Sequence, residues 1–183
     1  LFCTLLAKVQ GNGISVNWAL EALTQIYSDY LYNMEKLKDL FGEGIITENS
    51  IFHMDLSNKN KILDLYTQFV NNTELYSSTD NTSKHIQLLI DQRKQNHKLF
   101  PYCLFATYFS NIYFGMEQSF QIDSIRYAIE QFEDKQLQDW MTGVLIITVS
   151  VVASNYGGHF AQPKKNDQEN LESILDQRKK SVW

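Results

Sequence analysis

Residues 118–132 read QSFQIDSIRYAIEQF, and this stretch decides the fold class of the chain. Its apolar residues Ile122, Ile125 and Ile129 recur at steps of three and four, which is the spacing of one face of an α-helix. The stretch therefore predicts a helix over residues 118–132 with those three isoleucines buried. Asp123 and Arg126 lie three positions apart and predict an ion pair on one face of that helix.

The same periodicity predicts a long helix upstream. Apolar residues recur at three- and four-residue steps from Val16 to Phe41, and Gly42 is placed as a C-terminal stop. We expect a helix of about seven turns that packs on the core along one apolar stripe. The predicted stripe consists of Leu20, Leu23, Tyr27, Leu31, Met34, Leu37 and Leu40.

A second helix is predicted to begin at the polar pair Ser57 and Asn58, whose side chains suit an N-cap, and to end at Asn71 and Asn72. It would present Tyr66 and its apolar neighbours to the core.

The middle of the chain gives a more varied pattern. Residues 74–83 are rich in Ser, Thr, Asn and Asp and predict a loop. Residues 86–93 predict a further helix that closes before Pro101. Residues 99–115 carry many aromatic side chains without a helical stripe, so we expect an irregular segment that is extended, looped or locally helical.

Downstream of the central stretch, Asp134 is predicted to cap a helix that begins at the next residue. Residues 144–152, VLIITVSVV, are β-branched enough to favour a buried strand, whereas the lack of a preceding turn favours a continuous helix. Both possibilities stay open. Gly157 and Gly158 are expected to break this element, and residues 167–180 predict a polar, weakly amphipathic helix. The residues alone thus predict a mostly α-helical chain.

The composition is that of an ordinary folded domain. The chain has 183 residues, 44% of them hydrophobic and 20% charged, which excludes a disordered or collagen-like chain. Its longest apolar run, residues 141–153, is too short to span a bilayer, so no membrane association is expected. With no visible signal peptide and only Cys3 and Cys103, the expected compartment is the cytoplasm. The net charge of −5 argues against a uniformly basic coat for nucleic acid but allows a local basic face.

Isolated chemistry-bearing residues have structural interpretations. The four histidines show no ligand spacing, so no metal site is predicted. Cys103 lies between apolar neighbours and is expected to be an inert buried thiol. Glu130, Glu133 and Asp134 are expected to be a solvated helix end rather than a general-acid pair. No catalytic residue is assigned from these patterns.

Two segments carry a more specific signal. Residues 113–130 read YFGMEQSFQIDSIRYAIE, and residues 154–163 read SNYGGHFAQP. The order of a Tyr-Phe pair, an Ile-Asp-x-Ile-Arg helix, an apolar helix and a glycine-containing aromatic turn resembles the Dam-like class of adenine-specific DNA methyltransferases. The resemblance covers about residues 99–163 and, more loosely, the long helix that begins at Val16.

This resemblance implies part of an α/β Rossmann-like enzyme that transfers a methyl group from S-adenosylmethionine to the exocyclic amine of adenine in double-stranded DNA, as in a restriction-modification system. The chain length and the lack of a linker predict a single domain or fragment over residues 1–183, and the weakly amphipathic pattern predicts a peripheral C-terminal helix within residues 164–183. The glycine-containing turn would line the cofactor or base pocket, and nearby cations would meet DNA phosphates. The pocket candidates are Asn155, Tyr156, Gly157, Gly158, His159 and Phe160, and the phosphate candidates are Arg126, Lys164 and Lys165.

Two hallmark motifs of that class are absent from the chain. It has no Phe-x-Gly-x-Gly loop for the cofactor and no Asp-Pro-Pro-Tyr type motif, since its only prolines are Pro101 and Pro163. We therefore expect an internal piece, or one subunit of a split enzyme, completed by the rest of a methyltransferase. Two alternatives stay open: Arg126 pairs with Asp123 or Glu130 on its own helix, and the whole chain is a non-catalytic helical module that binds a protein partner.

Overall fold

The computed structural model describes residue 11 and residues 15–73, 102–157 and 162–183. These residues form a mostly helical protein, as predicted, and among them the only β-pairing is two isolated bridges, Ser110 with Phe114 and Asn155 with Pro163. The described helices are α1 (Val16–Phe52), α2 (Lys59–Thr73), α3 (Leu104–Tyr108), α4 (Met116–Glu130), α5 (Lys135–Val152) and α6 (Leu171–Arg178), with a short 3-10 helix at Leu56–Asn58. The loop predicted over residues 74–83, the helix predicted over 86–93, Cys3, Gly158, His159 and Phe160 lie outside the described residues.

Helix α4 forms the centre of the fold and matches the stretch that the sequence singled out. Ile122, Ile125 and Ile129 are all buried, which confirms the prediction. The long helix α1 packs along α4. Where the two helices meet, the Asn33 side-chain amide donates a hydrogen bond to Ser124 Oγ at 3.0 Å.

Helix α1 is longer than predicted, because Gly42 does not stop it. The helix continues for another ten residues to Phe52 and ends at His53, whose backbone N–H bonds to the Asn49 carbonyl oxygen at 3.1 Å. Gly44 lies inside this extension, where a Cβ atom would stand 2.5 Å from the sulfur of Met116. The missing side chain thus lets the start of α4 approach α1 closely.

The predicted apolar stripe on the first half of α1 is wrong by about one residue. The core-facing positions there are Ala22, Ile26 and Tyr30, and the stripe rejoins the prediction at Met34 and Leu37. Four other predicted members form a second apolar face that remains exposed, and we call this face the outer stripe; the side chain of Leu40 lies outside the described residues. The outer stripe consists of Leu20, Leu23, Tyr27 and Leu31.

The start of α2 confirms one predicted cap. The side chain of Asn58 accepts a hydrogen bond from the Lys61 backbone N–H at 3.1 Å. Ser57 has a different role, since both its backbone N–H and its hydroxyl donate to Asp55, which caps the preceding 3-10 helix. Helix α2 then places Tyr66 in the core with no exposed surface.

The described part of the aromatic segment, from residue 102, contains the short helix α3 and a tight turn. Asn111 adopts a left-handed conformation with φ of 63°, and its backbone N–H bonds to the Phe114 carbonyl oxygen at 2.7 Å. Asparagine tolerates this conformation better than most residues do. The predicted buried position of Cys103 is confirmed.

Residues 144–152 are helical, which decides between the two alternatives that the sequence left open. Asp134 caps this helix as predicted, since its carboxylate accepts from the backbone N–H groups of Gln136 and Leu137 at 2.8 and 3.2 Å. The helix ends at Val152, where Ala153 turns extended, so it stops before Gly157 rather than at it. Among the described helices, none combines the length and apolar character needed to cross a bilayer.

The last helix, α6, is shorter than the predicted range and lies deeper than a peripheral position would suggest. Leu171, Ile174 and Leu175 are fully buried, and Arg178 at its end is also buried. After the helix, the Val182 backbone N–H bonds to the Gln121 side chain at 2.8 Å, which fastens the C-terminal residues to α4.

Candidate functional site

After α5, the described segments 154–157 and 162–164 pair with each other at the two ends of a stretch that we call the glycine turn (residues 154–164). Its ends are paired by two backbone hydrogen bonds, from Tyr156 N–H to the Gln162 carbonyl at 3.1 Å and from Lys164 N–H to the Ser154 carbonyl at 3.0 Å. Gly157 has φ of 66°, a left-handed conformation that favours glycine. The structure thus brings the candidates Asn155, Tyr156 and Gly157 into one turn, together with Lys164.

Two polar side chains are buried at the base of this turn. Asn155 is 93% buried and Ser154 is fully buried, yet the Asn155 Nδ2 and Ser154 Oγ atoms have no hydrogen-bond partner among the described residues. A buried donor without a partner costs free energy, and such groups tend to persist at functional sites. The neighbouring Tyr156 is exposed. The base of the turn therefore has unused hydrogen-bonding capacity.

The glycine turn is also attached to the aromatic segment. The Ser154 backbone N–H donates to the Tyr113 carbonyl at 2.6 Å. The Tyr-Phe pair at residues 113–114, helix α4, helix α5 and the glycine turn thus form one connected unit.

The phosphate candidates have local partners. Arg126 pairs with Glu130 one turn along α4, which agrees with the structural alternative raised for it. The predicted Asp123–Arg126 pair is wrong, since Asp123 is buried and accepts from the backbone N–H groups of Phe105 and Ala106 at 3.1 and 2.8 Å. Asp123 therefore fastens the start of α3 to α4.

Glu130 receives a second hydrogen bond, from the hydroxyl of Tyr102. Burial, followed by this bond to the carboxylate, raises the pKa of Tyr102 to about 12. Glu130 is thus a surface bridge, as expected of a solvated helix end, and Asp134 is a helix cap.

The two lysines of the candidate set differ. The Lys164 amine bonds to Ser173 Oγ on α6, whereas Lys165 is exposed. Lys165 is therefore the more accessible of the two for a phosphate.

A buried polar cluster that the sequence did not indicate lies at the start of α4. Glu48, near the C-terminal end of α1, is fully buried and accepts from the backbone N–H groups of Met116 and Glu117. Gly115 makes room for it, because a Cβ atom there would lie 3.1 Å from Glu48 Oε2. Burial raises the pKa of Glu48 to about 7, against the lowering effect of the Met116 N–H and of Arg178.

Arg178 holds α6 against this region. Its guanidinium donates to the Tyr66 hydroxyl and to the carbonyl oxygens of Asn111 and Ile112, the last two at 3.1 and 2.9 Å. Burial raises the pKa of the Tyr66 phenol well above its usual value. Glu48 and Arg178 lie 130 residues apart in the sequence, so no local pattern could have paired them. Their contacts give them a structural role.

Two concave apolar surfaces flank α5. One, the α1 groove, has a volume of about 440 Å³ and lies between the outer stripe and α5, with Trp183 at its edge. The other, which we call the aromatic cavity, has a volume of about 530 Å³ and lies between α3, α4 and α5. Over the described residues, no group of three or more His, Cys, Asp and Glu side chains is placed to hold a metal ion.

Comparisons with known proteins do not assign the chain to a family. No family model, no curated protein and no solved structure matches it. The functional argument therefore depends on the residues and their geometry.

Proposed function

We propose that this chain is a helical portion of an adenine-specific DNA methyltransferase, in which the glycine turn contributes to the pocket for the flipped base or the cofactor. The observation that carries the proposal is the buried Asn155 amide, whose Nδ2 atom has no partner among the described residues. The residues with the family resemblance, from the Tyr-Phe pair to the glycine turn, also occur as one connected unit.

The chemistry of the turn fits such a ligand. Adenine ring nitrogens and the carboxylate of S-adenosylmethionine are acceptors, and the Asn155 Nδ2 atom is a buried donor without a partner among the described residues. Methyl transfer to adenine needs the base extruded from the duplex and held by hydrogen bonds and stacking. When bound, S-adenosylmethionine supplies the methyl group. This chain would orient the acceptor-rich ligand, while the missing glycine-rich and Asp-Pro-Pro-Tyr type motifs would belong to the rest of the enzyme.

The test is a complementation assay with labelled S-adenosylmethionine and duplex DNA. The chain is combined with a methyltransferase portion that carries the two missing motifs, and methyl incorporation is measured. Asn155→Ala should reduce incorporation at least about tenfold, equivalent to roughly 1.4 kcal/mol. Gln162→Ala, at an exposed position of the same turn, should leave it unchanged. Equal activity of the two variants would remove Asn155 from the pocket.

A second candidate function, a helical protein-interaction module, is favoured by the exposed apolar surface. The outer stripe is solvent-exposed, and on α5 Ile147 and Val151 are exposed as well, Val151 by 63%. A helix that is apolar on most of its faces is usually covered by other structure.

The two candidates make different predictions for the same binding experiment. If the apolar surface serves the enzyme, the chain should bind the complementary methyltransferase portion, and Leu20→Ser with Leu23→Ser should weaken that binding. If adding the chain leaves methyl transfer unchanged, and the chain binds another protein through the outer stripe, then it is an interaction module.

A further inference from the structure

The aromatic cavity combines an apolar wall with one charged side chain. Phe105, Phe109 and Tyr113 line one side, and Ile146 and Val149 of α5 line the other. Its volume of about 530 Å³ is within the range of small-molecule sites. The cavity does not include the glycine turn, so binding here can be tested separately from the role of that turn in the methyltransferase proposal.

The aromatic wall is built as a continuous surface. The rings of Phe105 and Phe109 have centroids 5.2 Å apart, and those of Phe109 and Tyr113 are 6.2 Å apart. All three side chains are half-buried, so each has a packed side and an open side. Such a row of rings offers an apolar molecule a preformed contact surface, which reduces the entropy cost of binding.

Arg126 is the sole charged side chain among the described residues that line the cavity. Its side chain is 42% exposed, and its Nη2 atom bonds to Glu130, which fixes the guanidinium one helical turn from its partner. A guanidinium carries several N–H donors in a planar fork, so one such bond leaves further donors for a carboxylate. The cavity thus has an apolar interior and, at its edge, the Arg126–Glu130 pair, whose guanidinium keeps further N–H donors.

We propose that the aromatic cavity binds a small apolar molecule that carries one carboxylate, with its tail between the aromatic wall and α5 and its carboxylate on Arg126. Aliphatic and aromatic carboxylic acids share this chemistry. The uncharged analogue keeps the apolar contacts and lacks the charge-assisted hydrogen bonds, so the charge should decide the affinity.

The test uses decanoate and decanol as probes, titrated calorimetrically into the full chain below the micelle concentration. Decanoate should bind at least about tenfold more tightly than decanol. Arg126→Gln should bring decanoate binding down to that of decanol and leave decanol binding unchanged. Benzoate and naphthoate in the same titration distinguish an aliphatic from an aromatic preference.

A matched pair of variants on α5 locates the site. Ile146→Trp fills the aromatic cavity and should abolish binding of both probes. Val144 lines the α1 groove but not the aromatic cavity, so Val144→Trp should leave both affinities unchanged. Equal affinities of decanoate and decanol for the wild-type chain, no binding of decanoate, or equal losses in the two tryptophan variants would each overturn the proposal. If Ile146→Trp loses its helical circular dichroism, the Arg126→Gln comparison still decides the outcome.

Discussion

Glu48, near the C-terminal end of helix α1, caps helix α4. Its two carboxylate oxygens lie 2.9 and 2.8 Å from the backbone nitrogen of Met116, the first residue of α4. The N-cap residue itself is Gly115, which has no side chain to accept these bonds, and its own N–H bonds to Gln118 Oε1 at 3.0 Å. A long-range carboxylate thus satisfies amide groups that a local cap usually satisfies.

The raised pKa of Glu48 makes stability depend on pH. Between the usual pKa of 4.5 and the folded-state value of about 7, the folded chain binds more protons than the unfolded chain. The stabilisation is therefore complete below pH 4.5 and is lost as the pH rises through 7, by an amount on the order of 3 kcal/mol. The charge of Arg178 lowers the pKa of this carboxyl and the charge of Glu117 raises it, and both effects are weaker than that of burial.

Glu48→Gln isolates this contribution, because the amide does not titrate. Both proteins are unfolded with urea at pH 5 and at pH 8. The free energy of unfolding of the wild type, relative to that of Glu48→Gln, should be larger at pH 5 than at pH 8. Glu43→Gln, the same substitution at an exposed position of α1, serves as the control. A difference between wild type and Glu48→Gln that stays constant with pH would contradict the raised pKa.

Asp123 should matter far more to stability than Arg126. Asp123→Ala leaves the buried N–H groups of Phe105 and Ala106 without their acceptor, which should lower the free energy of unfolding by about 2 to 3 kcal/mol. Arg126→Ala breaks an exposed pair and should cost less than about 1 kcal/mol. Chemical denaturation of the two variants checks this order, and equal losses would mean that the α3 attachment is not important for stability.

The predictions from sequence were reliable where local periodicity decides the structure. Ile122, Ile125 and Ile129 follow one helical face, and the structure buries that face. Asp134 precedes a helix with no competing cap and performs the predicted role. In residues 144–152, β-branched side chains favoured a strand, but helix propensity is a weak preference and the preceding helical residues extend through them.

The errors arose where tertiary contacts decide between local alternatives. The first half of α1 has two apolar faces, and periodicity alone does not say that Ile26 is buried while Tyr27 is exposed. Gly42 suits a helix stop, yet the helix continues to Phe52. The residues beyond Gly42 stay helical because Glu48 bonds to the start of α4. The cluster of Glu48 and Arg178 joins distant segments, which no spacing rule predicts. For the candidate site, the sequence located the glycine turn but not the unpartnered Asn155 amide.

The two apolar faces of α1 should respond differently to substitution. Ile26 is 1% exposed, so Ile26→Ala should lower the free energy of unfolding by about 3 kcal/mol. Leu20 is 57% exposed, so Leu20→Ser should change it by no more than about 0.5 kcal/mol. Thermal unfolding of both variants separates the faces. A large destabilisation by Leu20→Ser would show that the outer stripe is covered within the chain itself.

The purified chain should show no methyl transfer from S-adenosylmethionine to DNA. The two motifs that the family uses to hold the cofactor and the target amine are absent from its sequence. A labelled-methyl assay on duplex DNA measures this, and an active adenine methyltransferase provides the positive control. Turnover above background would mean that other residues of this chain supply both roles.

A bulky side chain in the glycine turn should impair function more than folding. Asn155 pairs with Pro163 across the turn and Gly157 is left-handed. Gly158 lies outside the described residues, and we expect its missing side chain to leave room for a ligand beside the backbone. In the complemented enzyme, Gly158→Val should lower DNA methylation or cofactor affinity at least about tenfold, roughly 1.4 kcal/mol, while the melting temperature of the chain changes by only a few degrees. Lys165→Ala, at an exposed position beyond the turn, tests the separate contribution of charge. Because salt screens a phosphate contact, the effect of Lys165→Ala on DNA binding should diminish as the salt concentration rises. The effect of Gly158→Val should not. Activity that falls only in step with unfolding would give Gly158 a structural role and remove the turn from the pocket.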